Sequence, residues 1–148
     1  MNKQKFMKWA LPGLLMSGVL FETMPGSVGY FSKDLVTIPE GAVWNFFSPP
    51  VEGLVGSCLM LAGVATVAAF VLALVEACFH KNKFYNLISW CSLGAGALAS
   101  SSYFVGTGDE IVQPNVVILV ILLACWLLAL SLKKKTAATE TEAPGKRL

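Results

Sequence analysis

The stretch GLVGSCLMLAGVATVAAFVLALVEACF, residues 53–79, decides the class of this protein. It is longer than the roughly 20 apolar residues that a helix needs to cross a bilayer. Three further apolar stretches lie at about residues 6–23, 84–105 and 111–132. The 148-residue chain is 55% hydrophobic and 14% charged, whereas soluble domains carry about a quarter charged residues. We therefore predict an all-α membrane protein, with a bundle of four transmembrane helices over residues 1–135.

The first apolar stretch is open to two interpretations. As a helix, it is short and needs the Lys8 side chain to extend toward the lipid headgroups. The stretch is also typical of a signal peptide, because basic residues precede its short apolar run and small residues follow at positions 27–29. Residues 22–25 separate the apolar run from those small residues, which disfavours cleavage. We expect a retained helix and keep cleavage after Gly29 as the alternative.

The basic residues predict how the chain is oriented. Ten of the eleven lie before the first stretch, between the second and third, or after the fourth. Only Lys33 lies on the other side, formed by residues 22–52 and 106–114, and six acids lie there with it. Because cytoplasmic loops are enriched in Lys and Arg, we expect a multi-pass protein of the plasma (inner) membrane with both termini cytoplasmic. The ten residues are Lys3, Lys5, Lys8, Lys81, Lys83, Lys133, Lys134, Lys135, Lys146 and Arg147.

The outer loop, residues 24–52, is the longest segment outside the apolar stretches. A Pro-Glu-Gly turn at residues 39–41 separates two runs with strand character, so we expect a short extracytoplasmic β-hairpin between helices 1 and 2. Its aromatic residues Trp44, Phe46 and Phe47 are candidates for partner binding, and the alternative is that they pack on the bundle. The C-terminal residues 136–148 lack apolar periodicity, which predicts a disordered cytoplasmic tail.

Glu76 is the single acid inside an apolar stretch once Glu22 is counted with the outer acids, and His80 lies four residues later. Residues at i and i+4 share a helix face, so the two form a candidate ion or proton site. The alternative is an interfacial glutamate that is hydrated or paired with Lys83. The cysteines have no CxxC spacing, and no phosphate loop or nucleophile–base arrangement is present. We therefore expect no metal, no cofactor and no enzymatic activity.

Small residues recur at helical spacing in the second and third stretches. Such stripes let two helix backbones approach closely. The two helices are joined by a tight turn, so we expect the stripes to face each other, whereas the fourth stretch, rich in Val, Ile and Leu, is expected to face lipid. The predicted packing residues are Ala65, Ala69, Ala73 and Ala77 in one helix and Ser92, Gly96 and Ser100 in the other.

Two strings, LFETMPGSV at residues 20–28 and AVWNFF at residues 42–47, resemble uncharacterised small four-helix membrane proteins of Firmicutes. That resemblance implies no known activity. The layout, an outer loop with strands and then a tight inner turn, is also similar to claudin-type four-helix proteins. The loop lacks the cysteine pair and the tryptophan motif of claudins, so neither adhesion nor pore formation is implied.

Two functions are compatible with these features. The first is a non-enzymatic membrane protein that acts by assembly through its outer loop, with lipid and either a second copy or another membrane protein as partners. The second is a small proton- or cation-coupled transporter that uses Glu76. A net charge of +2 is too small to indicate nucleic-acid binding. Replacing Glu76 by Gln separates the two, because only the transporter should lose coupling.

Overall fold

The computed structural model describes residues 3–32, 44–49, 53–79, 83–103 and 110–142. Four helices and two short strands follow one another along the chain. In order they are α1 (Lys3–Thr23), β1 (Val28–Ser32), α2 (Leu54–Phe79), α3 (Tyr85–Ser101), β2 (Glu110–Pro114) and α4 (Val116–Glu142).

The helices pack as a four-membered bundle in which each helix contacts two others. Helices α1 and α3 each lie against both α2 and α4. Two buried clusters form the interior, one toward the chain termini and one toward the strands. The first includes Leu11, Leu15, Ala69, Ala73, Tyr85, Ile88, Cys125, Ala129 and Leu132, and the second Val28, Phe46, Leu59, Ala62, Ala95, Ala99, Ile118 and Leu122.

The prediction of four transmembrane helices is wrong. In the described residues, only α2 (Leu54–Phe79) and the first part of α4 (Val116–Thr139) are long and apolar enough to cross a membrane. Helix α3 has 17 residues and is shorter than the roughly 20 that a bilayer requires. Helix α1 is continuous, but its sequence contains the charged residues Lys8 and Glu22 as well as Pro12. These residues lower its mean hydropathy.

The predicted β-hairpin between helices 1 and 2 is also wrong. Strand β1 pairs antiparallel with β2, from the connection between α3 and α4, in a register that runs from Val28 opposite Pro114 to Ser32 opposite Glu110. The predicted turn at residues 39–41 lies outside the described residues. Residues 111–114 were expected to begin the fourth helix, but that helix starts later because Asn115 caps it. The Asn115 side chain accepts a hydrogen bond from the Val117 amide at 3.0 Å.

Helix α4 differs from the sequence prediction in two respects, namely that one of its faces is buried and that it ends later in the chain. Its buried residues recur every three or four positions, so one face packs in the bundle interior and the helix does not simply face lipid. The helix also continues through residues 136–142, the start of the predicted tail, and residues 143–148 lie outside the description. Three threonine hydroxyls there bond to the carbonyl one turn earlier. The buried residues are Ile118, Leu122, Cys125, Ala129 and Leu132.

Candidate functional site

The candidate site is the carboxyl group of Glu22, in the last turn of α1. Its side chain is 0% exposed. The Thr66 hydroxyl oxygen, from α2, lies 2.7 Å from Glu22 Oε1 and 3.0 Å from the Ala62 carbonyl oxygen. The second carboxyl oxygen, Oε2, is buried and has no hydrogen-bond partner among the described residues. A buried acid without a full set of partners requires an explanation, and a functional role is one such explanation.

Three neighbouring segments hold Glu22 in place. Its backbone carbonyl, free at the helix end, accepts hydrogen bonds from the Phe46 amide and from the Ser27 hydroxyl, each at 3.1 Å. One turn earlier, Gly18 lets α1 approach its neighbours closely. A Cβ atom there would lie 3.4 Å from Cγ2 of Ile121 in α4 and 3.7 Å from Cγ2 of Thr66. Both are ordinary van der Waals distances, so α1 packs directly against α2 and α4 one turn before the carboxyl group.

The environment favours the neutral form of this acid. Burial raises the pKa of Glu22 from 4.5 to about 8, and the hydrogen bond with Thr66 opposes that shift only in part. Desolvation penalises the ionised carboxylate because the surrounding side chains cannot replace its hydration. Glu22 is therefore an acid whose proton exchanges near neutral pH, in the range where biological proton transfer occurs.

Glu76 is buried as well, but it has a structural partner. The Phe84 amide, at the start of α3, donates a hydrogen bond to Glu76 Oε1. The first amides of a helix lack partners within the helix, and a carboxylate there also interacts favourably with the helix dipole. Glu76 thus ties the end of α2 to the start of α3. His80 lies outside the described residues, so the Glu76–His80 site stays a prediction.

The three aromatic residues of the outer loop have different environments. Phe46 is 0% exposed and belongs to the buried cluster near the strands. Trp44 is half-buried and packs against the same cluster, and its backbone forms an isolated antiparallel β-bridge with Val28. Phe47 is 36% exposed, and its ring covers Gly63 so closely that a Cβ atom there would lie 2.8 Å from Cζ. Only Phe47 and part of Trp44 are accessible to a partner.

The small-residue stripes do not face each other as expected. In α2, Ala69, Ala73 and Ala77 are buried, and Ala65 is partly buried. The α3 stripe instead lies toward α4, since a Cβ atom at Gly96 would be 3.9 Å from Cβ of Leu122. Residues of α3 and α4 line a mainly apolar groove of about 330 Å³, namely Ser92, Leu93, Gly96, Ala97, Ser100, Leu119, Leu122, Leu123 and Trp126.

The sequence prediction missed Glu22 and Thr66. Glu22 was counted with the outer acids because it ends an apolar run and precedes a Pro-Gly turn. Thr66 carries a usable signal, since it is the only hydroxyl between Ser57 and the end of α2. A lone hydroxyl in an apolar helix needs a partner, and here the partner is an acid from the neighbouring helix.

The described residues contain no group of three His, Cys, Asp or Glu side chains that could hold a metal ion. Comparison with protein-family models, curated proteins and solved structures finds no match to this chain. The chemistry of the Glu22 site is therefore the basis on which its function is proposed.

Proposed function

We propose that this chain is a membrane protein that binds a proton or a small cation at Glu22 and carries it across the bilayer. The single observation that supports this proposal is the fully buried Glu22 carboxyl group, which has one oxygen beside Thr66 and the other without a partner. Ionised side chains in such surroundings are costly, and binding a positive charge removes that cost. The proposal moves the expected transport site from Glu76 to Glu22.

Membrane placement is supported by the two apolar helices and by the basic residues. Helices α2 and α4 are long enough to cross a bilayer. Two crossings place both termini on one side together with nine of the eleven basic residues, so the positive-inside rule directs both termini to the cytoplasm. A reporter fused to Leu148 tests this orientation and should be active only in the cytoplasm.

Glu76 is the less suitable transport site because its carboxyl group already serves as a partner for the start of α3. A carrier must release its ligand and rebind it without breaking the fold. Loss of the Phe84 contact would free the first turn of α3. Glu22 can change its charge while its backbone carbonyl keeps the bonds to Phe46 and Ser27.

The test is proton flux into liposomes that contain the purified chain and a pH-sensitive dye, driven by a potassium diffusion potential. We expect flux above that of empty liposomes, loss of flux in Glu22→Gln, and retained flux in the matched variant Glu76→Gln. Flux equal to that of empty liposomes contradicts a proton carrier, and the same assay with labelled sodium then tests the cation. Flux that survives Glu22→Gln and disappears in Glu76→Gln would refute the assignment to Glu22.

A second candidate function is assembly through the outer loop, and the exposure of Phe47 favours it. The ring packs over Gly63 and is 36% exposed, so a second copy or another membrane protein could contact its outer face. Exposed aromatic residues often dominate interface energetics. Replacing Phe47 by Ala should then reduce the oligomer seen by chemical cross-linking in native membranes, with the helical content unchanged. An unchanged cross-linking pattern excludes this residue as the contact.

A further inference from the structure

We infer that the ligand of the Glu22 site is a proton, held on Oε1 and donated to the hydroxyl oxygen of Thr66. The inference rests on the proposed function for the choice of Glu22 and names the ligand of that site. It also assigns Thr66 a role as the residue that positions the proton. The bond between them joins the last turn of α1 to the middle of α2.

The count of hydrogens leads to this inference. The Thr66 hydroxyl has one proton and lies within hydrogen-bond distance of two oxygens, Glu22 Oε1 at 2.7 Å and the Ala62 carbonyl at 3.0 Å. A carbonyl and an ionised carboxylate can only accept, so one hydroxyl proton cannot form a full hydrogen bond with both. If Glu22 carries a proton on Oε1, Glu22 donates to Thr66 and Thr66 donates to Ala62. Both short distances are then hydrogen bonds.

The unpartnered oxygen agrees with the neutral form. In the ionised state, Oε2 would carry part of a negative charge with no donor from the described residues. In the neutral acid with its proton on Oε1, Oε2 is a carbonyl oxygen, and an unpaired carbonyl is far less costly to bury than an unpaired charge. Burial also raises the pKa of Glu22 to about 8, which likewise favours the neutral form.

A metal cation fits this site poorly. Hard cations such as Mg²⁺ and Ca²⁺ are bound by about six or more oxygen ligands. The described residues provide no cluster of acids or histidines, and Glu22 Oε2 has no polar partner to share a cation with. A proton needs only one acceptor, and Thr66 provides it.

Release of the proton changes the hydrogen bonds but leaves the backbone contacts in place. The proton leaves Oε1, the Thr66 hydroxyl rotates to donate to the carboxylate, and the Ala62 carbonyl keeps only its helical bond. The described hydrogen-bond partners of Glu22 from outside α1 are Ser27, Phe46 and Thr66, and none of these side chains titrates in the range of the experiment.

The test is infrared difference spectroscopy of the full chain in lipid nanodiscs across pH 5 to 10. We expect the carbonyl stretch of one protonated carboxylic acid at pH 6 that disappears with a midpoint near 8. Glu22→Gln should remove the band, and Glu76→Gln should keep it. If Glu22→Gln does not fold, Thr66 identifies the band: Thr66→Val should move it to higher frequency through loss of the hydrogen bond, and Thr66→Ser should leave it in place.

The competing ligand is tested in the same samples. Replacing choline by sodium or potassium at constant ionic strength should leave the midpoint unchanged if the proton is the ligand. A midpoint that falls as the cation is added would overturn the inference, as would a Glu22 that is already ionised at pH 6. The two proposals fail separately. A band without flux refutes transport alone, whereas flux with an ionised Glu22 refutes the proton assignment alone.

Discussion

The stability of this protein should fall as the pH rises from about 5 to about 8, and Glu22→Gln should remove most of that dependence. The folded-state pKa of Glu22 lies at about 8, above the ordinary value of 4.5 that the unfolded chain is expected to have. Between these values the folded state binds a proton that the unfolded state has lost. The free energy of unfolding must therefore decrease with rising pH in that window and become constant above it.

The pKa interval bounds the size of the effect. It spans about 3.5 units, and each unit corresponds to about 1.4 kcal/mol. The loss of stability across the window is therefore at most about 5 kcal/mol. Even half of this loss would be a large change, because one or two kcal/mol is already a large fraction of the stability of a small protein.

The assay is unfolding followed by circular dichroism, with the purified protein in a mild detergent at pH 5, 6, 7, 8 and 9. Gln keeps the shape and the carbonyl acceptor of Glu but cannot titrate, so the difference between wild type and Glu22→Gln isolates one group. The difference in the free energy of unfolding between the wild type and Glu22→Gln should shrink as the pH rises. Parallel curves for the two proteins, or a wild type that gains stability toward pH 8, would refute the reasoning.

Three further predictions concern packing and the helix contact of Glu76, and the same unfolding assay measures all of them. Leu122 is buried, so Leu122→Ala should lower the free energy of unfolding by about 2–5 kcal/mol. Leu123 is 53% exposed, so Leu123→Ala should lower it by less than about 0.5 kcal/mol. Equal losses would mean that α4 packs through another face. Phe46→Ala should destabilise by about 3–5 kcal/mol, clearly more than Phe47→Ala, and the reverse order would contradict the placement of Phe46 in the interior. Glu76→Ala should lower stability by more than Glu76→Gln, because Gln keeps an acceptor for the Phe84 amide, and identical losses would contradict its role at the start of α3.

Hydrophobic patterning predicted the helices well because it reports local burial. The long apolar runs at residues 53–79 and 84–105 contain α2 and α3, and the two helices pack against each other as the short link between them in the sequence predicts. Patterning overestimated the number of membrane spans, because it counted residues beyond the end of α3 and passed over the charges of α1. Length and hydropathy together leave only α2 and α4.

Contacts between distant segments could not be predicted in the same way. The partner of β1 comes from residues 110–114, about 80 positions later, and a local turn signal at residues 39–41 suggested a closer partner. Long-range strand pairing depends on where the helices place their ends, and no short pattern in the sequence encodes that. The direction of the α3 stripe was missed for the same reason, since spacing identifies a face but not the helix that covers it.

The position of Glu22 explains why its chemistry and the outer segment belong together. Its side chain contacts Thr66 in α2, while its backbone carbonyl holds the Phe46 amide and the Ser27 hydroxyl. Phe46 in turn belongs to the buried cluster beside the strands. The elevated pKa of Glu22 arises mainly from burial, and the segment that contains Phe46 is bonded directly to the Glu22 backbone. A partner that displaced this segment would admit water and lower that pKa, and the proton would then be released. The two proposed functions, proton binding at Glu22 and contacts through the outer loop, would therefore involve the same structural element.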